Sequence, residues 1–237
     1  MSIVTVPIID METVTPRSRL VTVGLPPHGM EFLPGQAVVV GTQGQHDRRP
    51  YSIACSPERA TETQRLELLV AVETSGDPGP HLASAGPGTL VDLEGPIGTF
   101  TLPEIGPDHR VLCVAGGTGI APLRSMLDHL LRRDAAPRMS LLYSARRGDE
   151  FAFIDELREH ATVGRLELHQ TVTRDPSESW SGRRGRIGQS HFQSVLHEPA
   201  ETLCLVCGPT PMVRESVFTL KAMGVPDTKI RTELWAR

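Results

Sequence analysis

The 237-residue chain has a net charge of −4 at neutral pH, with 39% hydrophobic and 22% charged residues, the balance of an ordinary globular protein. That balance implies neither a nucleic-acid partner nor a membrane, since no apolar run is long enough to span a bilayer. The first twenty residues hold no basic segment followed by an apolar core and a small-residue cleavage site, so the expected location is cytoplasmic.

The length suits two domains of about 100 to 130 residues each. Up to about residue 100 short β-rich runs dominate: Ser2 to Ile9, Arg19 to Leu25, Gln36 to Gly41, Tyr51 to Cys55, Leu66 to Thr74 and Leu90 to Leu93. Turn signals such as Leu25-Pro-Pro-His-Gly29 and Leu33-Pro-Gly-Gln36 separate them, the pattern of a small antiparallel barrel. One short helix is expected from Pro80 to Ser84, with proline in its first turn. Thr101 to His109 reads as a linker. Beyond it, strands at Val111–Ala115, Met139–Ser144, Leu166–Val172, Leu203–Val206 and Lys229–Thr232 alternate with helices at Ala121–Arg133, Phe151–His160 and Met212–Met223. Such alternation predicts a mostly parallel sheet covered on both faces, with ligands at the carboxyl ends of its strands. The expected division is 1–103 and 110–237.

The four cysteines, Cys55, Cys113, Cys204 and Cys207, sit in apolar runs and read as reduced thiols. Cys204 and Cys207 form a C-x-x-C, but Leu-Val between them continues a buried strand whose side chains alternate faces, which speaks against a metal or disulfide pair. No spacing fits a plant-type iron–sulfur cluster.

Four segments carry chemistry. Arg49-Pro-Tyr-Ser52 places a guanidinium, an aromatic and a hydroxyl on an extended backbone, groups suited to a diphosphate, a flat ring and a hydrogen-bonding ring nitrogen; an ordinary barrel strand with a paired arginine is the plain alternative. Gly76-Asp-Pro-Gly79 and Gly95-Pro-Ile-Gly98 offer backbone amides or close approach, or are loop punctuation. Leu112-Cys-Val-Ala-Gly-Gly-Thr-Gly-Ile-Ala-Pro122 runs a buried strand into a glycine-rich turn and a helix, a junction that aims peptide N–H groups at a pyrophosphate. It is not G-x-G-x-x-G, and no acidic residue closes the next strand, so the common dinucleotide fingerprint is not met.

Taken in order, Arg49-Pro-Tyr-Ser52, Gly95-Pro-Ile-Gly98, Gly116-Gly-Thr-Gly-Ile-Ala-Pro122, Tyr143-Ser-Ala-Arg146, Cys207-Gly-Pro209 with Met212, and Glu233-Leu-Trp235 resemble the ferredoxin–NADP reductase superfamily over nearly the whole chain. The resemblance implies an FAD-binding Greek-key barrel followed by an NAD(P)-binding α/β domain, with flavin and nicotinamide meeting in the cleft between them. By it, Arg49 would hold the flavin diphosphate, Tyr51 with Pro50 would pack on the ring system, Ser52 would sit near N5, and the Val70-Ala71-Val72 backbone would touch the FAD. Gly79 stands where the family has a Ser or Thr, leaving only a backbone donor. Gly117, Thr118 and Gly119 would hold the nicotinamide cofactor's pyrophosphate. Cys207, with Gly208, Pro209 and Met212, would lie beside the nicotinamide, Glu233 would join Ser52 and Cys207 in catalysis, and Trp235 would cover the flavin.

Arg146 and Arg147, Thr173-Arg174 and the loop Gly182-Arg-Arg-Gly-Arg186 supply basic groups where NADPH carries its extra phosphate. NADPH-specific members similarly place Ser/Thr-Arg at the third strand, so Arg146, Thr173, Arg174 and Arg186 favour NADPH over NADH. A solvated basic loop balanced by Asp149, Glu150 and Asp175 is the alternative, with Trp180 as its anchor. The implied partner is a separate electron acceptor: ferredoxin, flavodoxin or an oxygenase component. Two other readings stand beside this one: a flavin reductase that releases its reduced flavin, and a noncatalytic nucleotide-binding subunit.

Overall fold

A computed structural model describes residues 3–72 and 78–235, except for the side chain of Trp235. Ser2, the Glu73–Asp77 segment with Gly76, the Trp235 side chain and Ala236-Arg237 lie outside the described residues. By its contacts the chain divides into two compact units: Met1–Pro103 with Ala121–His129, and Glu104–Ile120 with Leu130–Arg237.

The first unit holds strands β1 (Ile3–Thr15), β2 (Ser18–Gly24), β3 (Ala37–Thr42), β4 (Arg49–Ser52), β5 (Arg65–Ala71) and β6 (Leu90–Ile97). They form one antiparallel sheet in the order β4-β3-β6-β1-β2-β5, and a single bridge between Ile53 and Leu68 brings its two edges together. Closure removes the exposed edges and encloses a core of Val6, Val21, Val23, Val38, Val40, Leu66, Leu68, Val91 and Leu93.

β1 is longer than its first apolar run: Ile3–Pro7 pairs with β6 and Ile8–Thr15 with β2, so one strand serves two neighbours in turn. The expected strand Tyr51–Cys55 starts earlier and ends at Ser52, because Ser56 caps an unexpected helix, α1 (Pro57–Thr63). Ser56 Oγ accepts from the Arg59 N–H at 3.1 Å, Pro57 occupies the first turn, and left-handed Gln64 ends the helix. The expected Pro80–Ser84 helix is a single 3-10 turn, Pro80–Leu82.

Helix α2 (Ile120–Leu131) contributes Ala121–His129 to this first unit. Buried Arg124 reaches Glu67 at 2.5 Å and the Ala54 carbonyl at 2.9 Å, Ser125 Oγ donates to the Cys55 carbonyl, and Arg59 pairs with Asp128 through two hydrogen bonds.

The second unit carries β7 (Arg110–Gly116), β8 (Arg138–Ala145), β9 (Glu167–Val172), β10 (Arg183–Arg184), β11 (Thr202–Pro209) and β12 (Ile230–Trp235), with α3 (Ile154–Thr162), α4 (Gln189–Phe192) and α5 (Thr210–Ala222). The sheet is parallel throughout, ordered β10-β9-β8-β7-β11-β12. Its central strands β7, β8 and β11 are largely apolar and buried, as burial on both faces requires, whereas β9, β10 and β12 carry polar residues. Helix α3 begins three residues later than Phe151 because Phe153 adopts a left-handed conformation, φ 58°. The two-residue β10 and one-turn α4 are too short to show a period, and neither was expected. From β7 the order runs one way through β8 and β9 and the other way through β11 and β12. Between β7 and β11 it reverses, and in sheets of this class the crevice outside the carboxyl ends at that reversal receives the ligand.

Candidate functional site

In the barrel, register sets the faces. Arg49, Pro50, Tyr51 and Ser52 pair with Val40, Val39, Val38 and Ala37, so Arg49 and Tyr51 share one face of β4 and Pro50 and Ser52 the other. Arg49 is exposed, Tyr51 half-buried and Ser52 buried. The Tyr51 hydroxyl meets His81 Nε2 at 2.5 Å, and the two rings stack with centroids 5.6 Å apart. Burial pushes the Tyr51 phenol up to about 12, so it is protonated at neutral pH. Gly79, at φ +101°, turns the chain beside this pair. A Cβ placed on it would lie 3.5 Å from the His81 ring and 3.6 Å from Arg49 Nη1. Arg49, Tyr51, Gly79 and His81 therefore form one cluster. Val70 and Val72 are buried in β5 and just beyond it, while Ala71 faces outward; the Val72 N–H donates to the Arg17 carbonyl. His81 is the member that sequence reasoning missed, since a single histidine in Pro80-His-Leu82 carries no signal.

In the parallel sheet the corresponding cluster is built from backbone. A Cβ on Gly116 would sit 2.5 Å from Met212 Sδ and 2.9 Å from Pro209 Cδ, one on Gly208 2.8 Å from Met212 Cε, and one on Gly119 would strike the Cys207 carbonyl. Three glycines thus let the β7 turn and the end of β11 touch. Gly117 differs: it is exposed, at φ +55°, and a Cβ there would project into open space. Thr118 is half-buried beside it. α5 starts at Thr210, directly after Pro209, so a helix N-terminus opens at the same strand end. Cys207 is opposite Glu233 in the β11–β12 ladder, and its thiol approaches the Glu233 carboxylate at 3.8 Å.

At the ends of β8 and β9 the ladder continues: the Thr173 N–H donates to the Ala145 carbonyl and the Arg174 N–H to the Arg146 carbonyl, which places Arg146 and Arg174 side by side. Arg174 and Arg186 are exposed. The neighbouring arginines are occupied. Arg184 donates to the carbonyls of Asp175, Ser177 and Trp180, and Arg183 donates to the Ser190 carbonyl. Asp175 accepts from the Gly148 and Ser177 amides, and these backbone hydrogen bonds hold its carboxyl below the usual range. Trp180 stacks on Phe151 at 5.4 Å and donates to the Arg183 carbonyl. The basic loop is thus a folded scaffold that leaves Arg174 and Arg186 pointing outward.

The chain matches the Oxidoreductase FAD-binding domain over residues 5–102 and the Oxidoreductase NAD-binding domain over residues 113–217. It is 33% identical over 214 residues to ferredoxin–NADP reductase B of Sorangium cellulosum, covering 85% of this chain and 84% of that protein. The chain belongs to the ferredoxin–NADP reductase superfamily. It accordingly carries the two domains of that superfamily, an oxidoreductase FAD-binding domain and an oxidoreductase NAD-binding domain. It is also 32% identical over 193 residues to the 2-halobenzoate 1,2-dioxygenase electron transfer component of Burkholderia cepacia, covering 79% of this chain and 54% of that one. Other relatives are likewise longer; the chain spans 44% and 58% of two of them. The crystal structure of a ferredoxin NADP+ reductase from Neisseria gonorrhoeae, with bound FAD and NADP, superposes with a TM-score of 0.81 at 22% identity, covering 99% of both chains, and so shares the fold. Among the described residues no helix is long and apolar enough to cross a membrane, and no group of His, Cys, Asp and Glu gathers to hold a metal.

The superfamily's two cofactors fit both clusters. At the barrel, Gly79 leaves room beside the Arg49 guanidinium. At the sheet, an open Gly117 faces the end of β7 next to a helix N-terminus.

Proposed function

We propose that this chain is a cytoplasmic NAD(P)H-dependent reductase in which residues 1–103 hold FAD and residues 110–237 hold the nicotinamide cofactor, NADPH in preference to NADH. Electrons would leave to a separate protein: ferredoxin, flavodoxin or an oxygenase component. The observation that carries the reading is the glycine-built junction of β7 and β11 at the sheet's reversal point, in a chain that also carries the barrel cluster. The four cysteines are buried thiols, which suits a reducing compartment.

Each residue has a role that follows from its chemistry. Arg49 pairs with the flavin diphosphate, and Tyr51 with Pro50 supports the ring system. Ser52 supplies a hydroxyl at the flavin nitrogen, and the Val70–Val72 backbone borders the FAD. Gly79 contributes an amide. Gly117, Thr118 and Gly119 bind the pyrophosphate through backbone N–H groups. Cys207, Gly208, Pro209 and Met212 bound the nicotinamide pocket, and Glu233, hydrogen-bonded to the Cys207 thiol, fixes that side chain's direction. By the resemblance Trp235, whose side chain lies outside the described residues, would cover the flavin. Arg146, Thr173, Arg174 and Arg186 meet the 2′-phosphate. Bound FAD supplies the conversion of a two-electron hydride into electrons released singly.

The Gly79 substitution favours a second reading, a flavin reductase, because a backbone amide alone grips a diphosphate less firmly than an amide with a hydroxyl. One experiment separates the two. The purified protein is passed over a desalting column and then assayed with NADPH and, in turn, ferredoxin, flavodoxin, an oxygenase component and free FAD. FAD that stays bound, with fast reduction of a protein acceptor, supports the carrier reading. FAD lost on the column, with activity only toward added flavin, supports the reductase reading and rejects the first.

A further inference from the structure

The structure assigns a positioning role to Tyr143: its buried hydroxyl fixes the peptide between Gly117 and Thr118 so that the Thr118 N–H points at the cofactor's pyrophosphate. The inference rests on the proposed role of the glycine turn and deepens it. Tyr143 is fully buried in β8, yet its hydroxyl has two partners. The Ala152 N–H donates to it at 3.1 Å, which commits the phenolic proton to the other contact, the Gly117 carbonyl at 3.2 Å. The same carbonyl accepts from the Ile120 N–H, so it is held from two sides. Phe151 packs edge-on against the Tyr143 ring, with centroids 4.9 Å apart at 81°, and Trp180 stacks on Phe151. Burial raises the Tyr143 phenol well above its ordinary value, so it stays a donor at working pH.

Across a trans bond C=O and N–H point in opposite directions, and Gly117–Thr118 is trans. Drawing the Gly117 carbonyl inward to Tyr143 turns the Thr118 N–H the opposite way, and a Cβ on the neighbouring Gly117 would meet nothing within 4 Å. Without the hydroxyl the carbonyl keeps one of its two restraints, and the glycine on its amino side resists rotation poorly.

The test uses the full chain with FAD bound and two variants, Tyr143→Phe, which keeps the ring and its packing, and Gly117→Ala, which strains the turn at φ +55° and adds a methyl on its open side. Binding of ADP-ribose by calorimetry, FAD affinity and the KM for NADPH and NADH are measured on each. A charge-assisted hydrogen bond that is mis-aimed leads us to expect Tyr143→Phe to weaken ADP-ribose by about tenfold, to raise both KM values together, and to leave FAD affinity alone. Retained ADP-ribose affinity in Tyr143→Phe alongside loss in Gly117→Ala overturns the role of Tyr143 and keeps the pyrophosphate turn. Retained affinity in both variants overturns the two together. An equal loss of FAD affinity marks general loosening and also overturns the inference.

Discussion

The two clusters solve similar tasks by opposite means. In the barrel the cluster is made of side chains, the Arg49 guanidinium and the Tyr51 phenol on β4 with the His81 imidazole against the phenol. At the ends of β7 and β11 the sheet presents backbone, and what matters there is the absence of substituents at Gly116, Gly119 and Gly208. Removing atoms should damage the first cluster, and adding atoms should damage the second.

The largest effect is expected where the barrel unit depends on a buried charge. Arg124→Ala leaves Glu67 without its 2.5 Å partner, and breaking a buried pair costs about 3 kcal/mol; a chemical denaturation midpoint close to wild type would show that the pair contributes little. Next comes Arg49→Ala. Loss of a hydrogen bond to a charged group, roughly 1.5 to 3 kcal/mol, should weaken FAD by about ten- to a hundredfold with little change in melting temperature, as fluorescence titration would read.

The opposite manipulation belongs to the sheet. Gly119→Ala drives a methyl into the Cys207 carbonyl, an overpacking that costs about 1 to 3 kcal/mol, and should weaken ADP-ribose while sparing FAD. Loss of FAD in place of ADP-ribose would erase the contrast between the clusters. A smaller change is expected for Arg174→Ala: an exposed ionic contact of at most about 1 kcal/mol corresponds to about a fivefold rise in KM for NADPH, with NADH unaffected because it lacks the phosphate. Equal rises with both cofactors would count against the 2′-phosphate assignment.

The smallest effect is a titration. Asp175 is held below its ordinary value by the Gly148 and Ser177 amides, so its contribution is complete above the unfolded carboxyl value of about 3.9 and disappears as pH falls through the lower, folded value. Trp180 sits in the loop that Asp175 ties to Gly148. Its fluorescence should change below about pH 4 in the wild type, and that acid limb should be missing in Asp175→Asn.

Much of this was legible from the chain. The alternation of strand and helix after residue 110 and the glycine turn at Gly116–Gly119 are periodic or compositional signals, and their elements lie within a few residues of expectation. Helix α1 announced itself in Ser56-Pro57-Glu58, a cap followed by proline and an acid, but at seven residues it was too short to show a helical period. His81 and Tyr143 were not legible as site-builders because their importance lies in partners distant in sequence, Tyr51 thirty residues away and Gly117 twenty-six. In the basic loop Arg183 and Arg184 donate to backbone carbonyls of Ser190, Ser177 and Trp180, while Arg174 and Arg186 are exposed, a division that composition does not contain.

The proposed passage of hydride equivalents from a nicotinamide dinucleotide to FAD can be watched by anaerobic stopped-flow mixing of the FAD-loaded protein with NADPH or NADH. The oxidised-flavin absorbance band should disappear rapidly, saturating at lower NADPH than NADH. An oxidised-flavin band unchanged by either cofactor at saturating concentration would rule that transfer out.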